Sequence, residues 1–500
     1  MIRYKSNRQL SLEGFHLPFG GKLNPENRWV RWSKSIPWDD FAVGYYNSMS
    51  STQGRPGKDA RLVIGSLIIK HKLNLSDEET VLQIQENPYL QYFVGLSSYS
   101  EKPPFTPTLF VEIRKRMGGA VFSSFEQAIL NRIDEKKKRL HSELAEESEE
   151  SENKGKLLVD ATVAEQAIRY PTDISLLNEA REISEQLIDE LYHLSDLKKK
   201  PRTYRQQARK RYLAISKNRN PGGKLRRKAI REQLQYLRRN FRHIEKLLDL
   251  LARSAFPLPH NRQRQYWIIQ HLYEQQYTMY KGKTRRCDHR LVSISQPHVR
   301  PIVRGKASHK VEFGSKLSVS MVDGIALVDH FGWEAFNEST DLRTQIEYYK
   351  ERYGYYPEVV LADGIYGTRA NRKYMKKHNI RFGGRPLGRP KKQTPENADQ
   401  LKQEKLQRKQ DALERIPIEG KFGQGKNGYC LNYIRAKTLK TSEAWINSIF
   451  LVMNLMVLFR ICCVQLKKTL GFVQLALLVK ILAKFTDWLM PVKSIQLVAG

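Results

Sequence analysis

The sequence predicts an α/β protein in which a mixed-sheet core carries a long helical insertion and follows an all-helical domain. Three observations lead to this fold class. Helical spacing of Leu and Ile begins at Asp59, strand-like apolar runs recur between residues 156 and 363, and two long amphipathic patterns fall inside that interval, at 176–251. Apolar residues repeating every three or four positions line one face of a helix, whereas short apolar runs between turn residues typify strands.

The N-terminal part divides into a leader and a helical domain. Residues 1–57 contain four prolines and several glycines, which predicts a loosely structured leader that carries aromatic side chains. From Asp59 the pattern becomes helical, and Ser76 with Glu79 forms a capping box that opens a further helix. Another helix is expected from Pro107 through Arg116. We therefore predict a helical domain at 58–141.

An acidic stretch separates this domain from the rest of the chain. Between Ser142 and Glu152 there are six Glu and no Lys or Arg, a mutually repelling run that is typical of a solvated linker. We assign the linker to 142–155, the mixed-sheet core to 156–460 and a helical tail to 461–500.

The predicted insertion, at about 176–285, is strongly basic. Apolar residues recur at helical spacing over 176–194 and 234–251, and Pro221-Gly222-Gly223 lies between these helices. From Lys198 to Lys246 there are nineteen Lys or Arg and only two acidic residues. An ordinary charged surface is one interpretation. Contact with a phosphate backbone is the favoured one.

Strands of the core are predicted on both sides of the insertion. They share short apolar or alternating runs: 156–163 (KLLVDATV), 291–295 (LVSIS), 310–322, 324–331 and 357–363 (PEVVLAD). Asp323-Gly324 is expected to be a two-residue hairpin turn. A helix is expected at 369–379, after the last of these strands.

Composition limits the functional classes. Lys and Arg number 86 against 52 Asp and Glu, a net charge of +34, which indicates a polyanionic partner such as nucleic acid. The hydrophobic share of 40% excludes global disorder.

Four cysteines without CxxC spacing exclude a disulfide framework and a zinc ribbon, and we expect reduced thiols in the cytoplasm. The apolar run 449–459 is too short to cross a membrane, so a buried helix and no membrane partner are expected.

Two aspartates fall on predicted strands. Asp160 lies inside an apolar strand, where a carboxylate is costly without compensation, and Asp363 ends another. Adjacent strand-borne carboxylates repel each other unless a divalent cation is bound, and oxygen ligands select Mg²⁺ or Mn²⁺. Each residue also has a plainer interpretation: Asp160 as a turn cap and Asp363 as the first residue of its Asp-Gly turn.

A third acidic residue lies between two cations near the C-terminus. Arg415, Glu419 and Lys426 stand at i, i+4 and i+11, which is one face of a helix. Such a face suits a site that holds a metal and a phosphate together. Pro417 and nearby glycines predict that the helix starts only near Pro417. An ordinary surface ion pair is the alternative.

Several motifs together resemble a known family. The motifs are LLVDATVAEQAIRYPTD (157–173), QPHVRPIVRGKASHKVEFGSKLSVSMVDG (296–324), WEAFNESTDL (333–342), YPEVVLADGIYGTRANR (356–372) and RIPIEGKFGQGKNGY (415–429), and the resemblance extends from about Asp59 to about Asn454. With these motifs the sequence resembles a bacterial insertion-sequence transposase of the DDE type, with an RNase H-like catalytic core and an InsH-like N-terminal domain.

This resemblance implies roles for the acidic residues and their neighbours. Asp160, Asp363 and Glu419 would be the catalytic metal ligands, holding two Mg²⁺ ions for which Mn²⁺ substitutes. Arg415 and Lys426 would complete the signature as phosphate clamps. The signature often begins with a Tyr three residues before its Arg, and Ala412 stands there instead. The implied activity is an endonuclease step, phosphodiester hydrolysis at the element ends, followed by transesterification into target DNA.

Two alternatives stay open at this point. One is a domesticated or degenerate nucleic-acid-binding protein without strand transfer, and the other is a plain Mg²⁺-dependent nuclease.

The expected partner is double-stranded DNA, both the terminal inverted repeats and the target. The helical N-terminal domain is expected to read the repeats, and a dimer on DNA is expected because two ends must be paired. The cations proposed to bind DNA are Arg205, Arg209, Arg226, Arg227, Arg238 and Arg239 on the insertion, with Arg300, Arg304, Lys306 and Lys310 before a core strand. A cytoplasmic, nucleoid-associated location follows.

Overall fold

The structure, a computed structural model, describes most of the chain as two compact units. The described residues are 15–17, 21–49, 57–141, 153–251, 255–303, 311–389 and 394–462. The first unit comprises Met1–Glu150, Asp323–Ile325 and Ser448–Gly500, and the second comprises Ser151–Val322 and Ala326–Asn447. Most of the proposed linker (142–152) and of the proposed tail (463–500) lies outside the described residues.

The N-terminal part of the first unit is helical. Its helices are α1 (Arg28–Ser35), α2 (Trp38–Tyr46), α3 (Ala60–Leu73), α4 (Asp77–Glu86), α5 (Pro88–Phe93), α6 (Leu109–Arg116) and α7 (Gly119–His141). Asp59 caps α3, and the Ser76 hydroxyl accepts a hydrogen bond from the Glu79 N–H at 3.0 Å, as predicted for α4. The prediction of a loosely structured leader was wrong for 28–46, because Trp29 and Trp38 are buried and fix α1 and α2.

A carboxylate ties three helices of this unit together. Asp77 of α4 accepts hydrogen bonds from Arg114 of α6 at 3.0 and 2.6 Å, and its Oδ1 lies 2.9 Å from the Nζ of Lys70 on α3. Both cations are almost completely buried. Burial alone would raise the pKa of Asp77, but hydrogen bonding and charge from Arg114 and Lys70 outweigh it and lower the pKa.

The insertion of the second unit contains four helices rather than the two predicted. They are α8 (Asp173–His193), α9 (Arg205–Ser216), α10 (Gly223–Leu251) and α11 (His260–Lys281). Apolar side chains of α8, α10 and α11, including Leu187, Ile244 and Leu272, form one buried core. The apolar positions of 176–194 and 234–251 therefore pack as their periodicity indicates. Helices α9 and α11 are less amphipathic than α8 and α10, which explains why periodicity alone missed them.

Six strands form a mixed sheet in the second unit. They are β1 (Lys156–Glu165), β2 (Arg300–Val303), β3 (Val311–Val322), β4 (Ile325–Gly332), β5 (Val359–Ala362) and β6 (Arg381–Phe382). The order is β2-β3-β1-β5-β6, and β4 pairs with β3. β1 is antiparallel to β3 and parallel to β5, so the first predicted strand is central. Mixed helix and sheet confirm the α/β class.

The structure contains the predicted turn after β3 but lacks one predicted strand. Asp323 and Gly324 form the predicted turn between β3 and β4, with φ of +50° and +82°. Residues 291–295 were wrongly predicted as a strand. Leu291 and Ile294 are buried against the helical insertion instead, so their apolar pattern reflects loop packing.

The remaining helices are α12 (Leu342–Tyr353), α13 (Arg369–Lys377), α14 (Ala398–Gly428) and α15 (Leu439–Cys462). Helix α14 continues through Pro417, so the expectation of a start near Pro417 was wrong. Helix α15 is long and apolar enough to cross a membrane, but 83% of its apolar window is buried inside the protein. This burial favours the predicted core helix over a membrane span.

Candidate active site

Asp160 lies within β1, and Asp363 directly follows the neighbouring strand β5. β1 and β5 are parallel, with Val159 opposite Ala362, so Asp160 and Asp363 occupy the next position on neighbouring strands, which run roughly 4.8 Å apart. Val159 and Ala362 point into the core formed with α12 and α13. Because side chains alternate along a strand, Asp160 belongs to the opposite face, whereas Asp363 lies just beyond the end of β5.

Helix α14 covers that opposite face and supplies the third acidic residue. It packs against β1 and β5, and two ion pairs fix its position. Lys156, the first residue of β1, lies 2.6 Å from Glu414, and Arg381 of β6 binds Asp411 at 2.6 and 2.9 Å. The register of α14 along β1 therefore sets where Glu419 stands.

One guanidinium joins Asp160 to Glu419. The Nη1 of Arg415 lies 3.9 Å from the Oδ2 of Asp160, and its Nη2 lies 2.8 Å from the Oε1 of Glu419. Burial raises the pKa of Asp160. The Ala161 N–H and the charge of Arg415 oppose this rise. The structure thus brings these three predicted residues together.

The fourth and fifth predicted residues take other partners. The Oδ1 of Asp363, whose side chain is exposed, accepts a hydrogen bond from the Gly364 N–H at 2.6 Å, which is the turn contact foreseen as its plainer interpretation. The Nζ of Lys426 lies 3.4 Å from Glu312 and 3.9 Å from Glu165. Lys426 therefore stands further along β1, beyond the Asp160–Arg415 contact.

The donor set suits a hard cation, although the acids are not gathered around one point. Across the described residues, no three His, Cys, Asp or Glu side chains are grouped closely enough to hold a metal ion. The carboxylate oxygens of Asp160 and Glu419 are ligands that Mg²⁺ prefers, and a positive charge, the Arg415 guanidinium, already lies between them. A divalent cation would exchange with this guanidinium.

The sequence analysis missed a second group of polar residues near Asp160. Lys316 of β3 forms an ion pair with Glu338, which lies in a short 3₁₀ helix (Glu338–Thr340) after β4. Tyr366, buried beside them, has its pKa raised by burial and then by the charges of Glu338 and Asp160. The WEAFNESTDL motif contains Glu338 and was the available signal, but no role followed from it.

The cations proposed to bind DNA differ in whether a carboxylate of the protein already pairs with them. Arg209 and Arg238 are exposed and form no ion pair with any described residue. Arg205 is held by Asp189 at 3.0 and 2.6 Å, and Arg300 lies 2.8 Å from Glu334. These two cations are already partly neutralised by carboxylates.

Three other insertion arginines have different neighbours. The guanidinium carbon of Arg227 lies 4.3 Å from the centre of the Tyr280 ring, and that of Arg239 lies 4.7 Å from the Tyr204 ring. Arg226 donates to the Pro221 carbonyl at 3.3 Å. Arg304, Lys306 and Lys310 lie outside the described residues.

Comparisons with known proteins agree with the motifs. Residues 360–456, which include Asp363 and Glu419, match the family described as "Transposase DDE domain". Residues 18–116 match "Transposase domain (DUF772)". The chain is 32% identical over 157 residues to "Uncharacterized protein ORF8 in nfe locus" of Rhizobium meliloti, covering 31% of this chain and 69% of that protein. No solved structure is significantly similar.

The match at 360–456 overlaps two of the sequence motifs, 356–372 and 415–429, whereas the match at 18–116 lies in a part that contains none of them. The first contains two of the three acidic residues, and the second lies in the helical N-terminal part. The chain therefore belongs to the bacterial insertion-sequence transposases of the DDE type.

Proposed function

We propose that this transposase cuts DNA at the ends of its element and joins the freed ends to target DNA, with Asp160, Asp363 and Glu419 as metal ligands. One observation carries the proposal: Arg415 contacts both Asp160 and Glu419, while Asp363 ends the strand adjacent to Asp160. Asp160 and Glu419, far apart in sequence, thus share one guanidinium, and Asp363 follows the strand beside β1. We also propose that this sheet is an RNase H-like core.

Both chemical steps act on phosphodiesters. Hydrolysis adds water across a P–O bond and leaves a 3′-hydroxyl and a 5′-phosphate. In strand transfer the 3′-hydroxyl loses its proton and forms a new P–O bond, while one P–O bond of the target breaks. The number of phosphodiester bonds is unchanged, so this step needs no external energy source.

The chain's own residues would bind and orient the DNA. Two bound Mg²⁺ ions, or Mn²⁺ in their place, would supply activation of the attacking oxygen and charge neutralisation of the leaving oxygen. Arg415 would exchange its carboxylate partners for a phosphate, because a guanidinium pairs with either through two parallel hydrogen bonds. Lys426 would neutralise charge further along the strand.

The remaining surfaces would hold the long substrate. The exposed cations of the insertion, Arg209 and Arg238 among them, suit duplex DNA, and the helical N-terminal unit would read the inverted repeats. Pairing of two element ends would require at least a dimer on DNA. A cytoplasmic, nucleoid-associated location would follow from these partners.

The test uses the full chain and duplexes that carry the DNA ends flanking its reading frame. Single variants Asp160→Asn, Asp363→Asn and Glu419→Gln are assayed with Mg²⁺ for end cleavage and, on pre-cut ends, for joining. We expect each variant to lose both reactions.

Glu404→Gln is the matched control, since Glu404 also lies on α14 but pairs with Arg408 of the same helix. It should keep both reactions. Cleavage retained by the three site variants would contradict the assignment of ligands, and wild-type cleavage without joining would indicate a plain nuclease.

A further inference from the structure

The stretch of chain that follows Asp363 is strongly basic. Between Asp363 and Glu396 there are ten Lys or Arg and no Asp or Glu. This stretch contains α13 and β6, and the structure describes it as far as Arg389. Its excess of positive charge resembles that of the insertion, but the proposed function assigns no role to it.

Helix α13 is anchored to the turn after Asp363. The Asn371 side chain donates a hydrogen bond to the Tyr366 carbonyl at 3.0 Å. The Thr368 hydroxyl caps the helix by accepting a hydrogen bond from the Asn371 N–H at 3.2 Å. The first residue of α13, Arg369, therefore lies at the carboxyl end of β5, close in the chain to Asp363.

The loop after β6 reaches the same end of the sheet. β6 is parallel to β5, with Val360 opposite Phe382. Three residues further along the two strands, this register places Arg385 level with Asp363. The loop that carries Arg385 thus begins beside the turn that follows β5.

One guanidinium joins these two segments. The Nε of Arg372 donates to the Gly367 carbonyl at 3.0 Å, and its Nη2 donates to the Arg385 carbonyl. Gly367 belongs to the turn that follows Asp363. Arg372 therefore holds the backbones before Arg369 and at Arg385 together at one end of the sheet.

The cations at this end of the sheet are not neutralised by the protein. Arg369, Arg385 and Arg389 are exposed, and none of them forms an ion pair with a described residue. Arg369 also lies in the first turn of α13, which contains no acidic residue. A positive charge there opposes the helix dipole, so helix stability does not account for Arg369, whereas a bound polyanion would.

The insertion joins the sheet at its other edge. The strand order is β2-β3-β1-β5-β6. Tyr170, just before α8, lies with its ring centre 5.5 Å from that of Phe313 on β3, and Leu291 and Ile294, before β2, pack against the insertion helices. β1, which carries Asp160, therefore lies between the basic insertion and the basic β6 edge.

The exposed side chains of the two surfaces differ. Helix α11 of the insertion exposes Trp267 and Tyr277, which can contact sugars and bases as well as phosphates. Residues 383–389 contain only Gly, Pro and Leu besides Arg385 and Arg389. The β6 edge therefore offers mainly positive charge, which suits contact with a DNA backbone.

We propose that Arg369, Arg385 and Arg389, the β6-edge cations, bind the phosphate backbone of the target duplex, while the insertion binds the element end. This inference rests on the proposed function, in which two duplexes must meet at Asp160. Phosphate contacts position a duplex without specifying its sequence, so this surface suits the duplex that carries no inverted repeat.

The experiment compares joining with end cleavage by the full chain in Mg²⁺. The double variant Arg369→Gln/Arg385→Gln is assayed with pre-cut element ends and an unrelated target duplex. Its KM for the target should rise about tenfold, and the salt dependence of that KM should become shallower by a slope of about 1.8, because two phosphate contacts are lost. End cleavage should be unchanged, since the target takes no part in it.

The matched control is Lys376→Gln/Lys377→Gln, which also removes two exposed charges from the basic stretch. Asn153 donates to the carbonyls of His378 and Asn379 at 2.9 and 3.1 Å, so the last turn of α13 lies near the start of β1, at the other end of the sheet. The control should leave the KM for the target unchanged. An equal rise in both double variants would indicate a general effect of net charge and would overturn the inference.

A second variant keeps the test valid if the first one does not fold. Arg389 lies outside the helices and strands, so Arg389→Gln should leave the melting temperature unchanged. It should make the salt dependence of the KM for the target shallower by a slope of about 0.9. An unaltered slope in Arg389→Gln would contradict the inference.

The wild-type reactions separate this inference from the proposed function. A wild-type chain that neither cuts nor joins DNA overturns both. Wild-type joining with an unaltered KM for the target in Arg369→Gln/Arg385→Gln overturns the target surface alone. Loss of end cleavage in that folded variant would place the element end at the β6 edge, which also overturns the inference.

Discussion

Replacing Arg415 by Gln tests how the acidic residues are held before a metal binds. The 3.9 Å between Arg415 Nη1 and Asp160 Oδ2 corresponds to about 1 kcal/mol in water and about 4 kcal/mol at an effective dielectric constant of 20. The Asp160 and Arg415 side chains are 21% and 27% exposed, so solvent screening favours the lower value. Removing the guanidinium should therefore raise the pKa of Asp160 further, because a charge that lowers it is lost.

The same change has opposite effects on metal binding and on catalysis. In the variant an entering cation no longer has to displace a guanidinium worth about 1 kcal/mol, so at pH 8 Mn²⁺ should bind about fivefold more tightly. End cleavage should fall about a hundredfold, because a donor to the reacting phosphate is lost. Calorimetry with Mn²⁺ and a gel assay of end cleavage measure these two effects.

Arg408→Gln is the control for this experiment. Arg408 forms the same kind of pair on α14, to Glu404 four residues away at 3.1 Å, and Asp160 has no contact with it among the described interactions. Arg408→Gln should change neither the affinity for Mn²⁺ nor the rate of end cleavage. Weaker or unaltered Mn²⁺ binding by Arg415→Gln would refute the view that the Arg415 guanidinium occupies the place that the metal cation takes.

Further predictions concern stability and DNA binding. Burial raises the pKa of Asp160 in the folded protein, so the ionised carboxylate lowers the free energy of unfolding at a pH above this raised pKa. Below the pKa of the unfolded state the carboxyl group is protonated in both states, and the cost disappears. Asp160→Asn should therefore raise the melting temperature at pH 8 but not at pH 3. Asp77→Asn leaves Lys70 and Arg114 buried without their carboxylate and should lower the free energy of unfolding by about 3 kcal/mol in urea titrations. Because the pKa of Asp77 is lowered, its contribution is complete above the unfolded carboxylate pKa and is lost as pH falls through the folded one. Arg238→Gln should weaken DNA binding and reduce the salt slope by about 0.9, whereas Arg205→Gln, whose partner is Asp189, should change that slope less. In Gly314→Ala the new Cβ would lie 1.9 Å from the Ala164 carbonyl oxygen, so β1 and β3 must move apart. Both the melting temperature and the rate of end cleavage should therefore fall.

Local patterns predicted most of the secondary structure. The Ser76 cap, the Asp323-Gly324 turn and the apolar runs of β1, β3 and β5 act over a few residues, and the structure confirms them. The predictions failed where packing between distant segments overrides local preference. Residues 291–295 pack as a loop against helices, and α14 continues through Pro417 because its neighbours hold both of its halves.

The sequence alone determined the periodicities, the excess of positive charge and the acidic residues at the ends of apolar strands, because each depends on residue type and short spacing. Only the tertiary structure decided that β1 lies beside β5, that Arg415 contacts Asp160, and that Lys316 and Glu338 lie at the same edge. The residues in each of those contacts are between 22 and 255 positions apart in sequence. Such contacts depend on strand order and on the register of a helix across a sheet, and no local rule determines either of them.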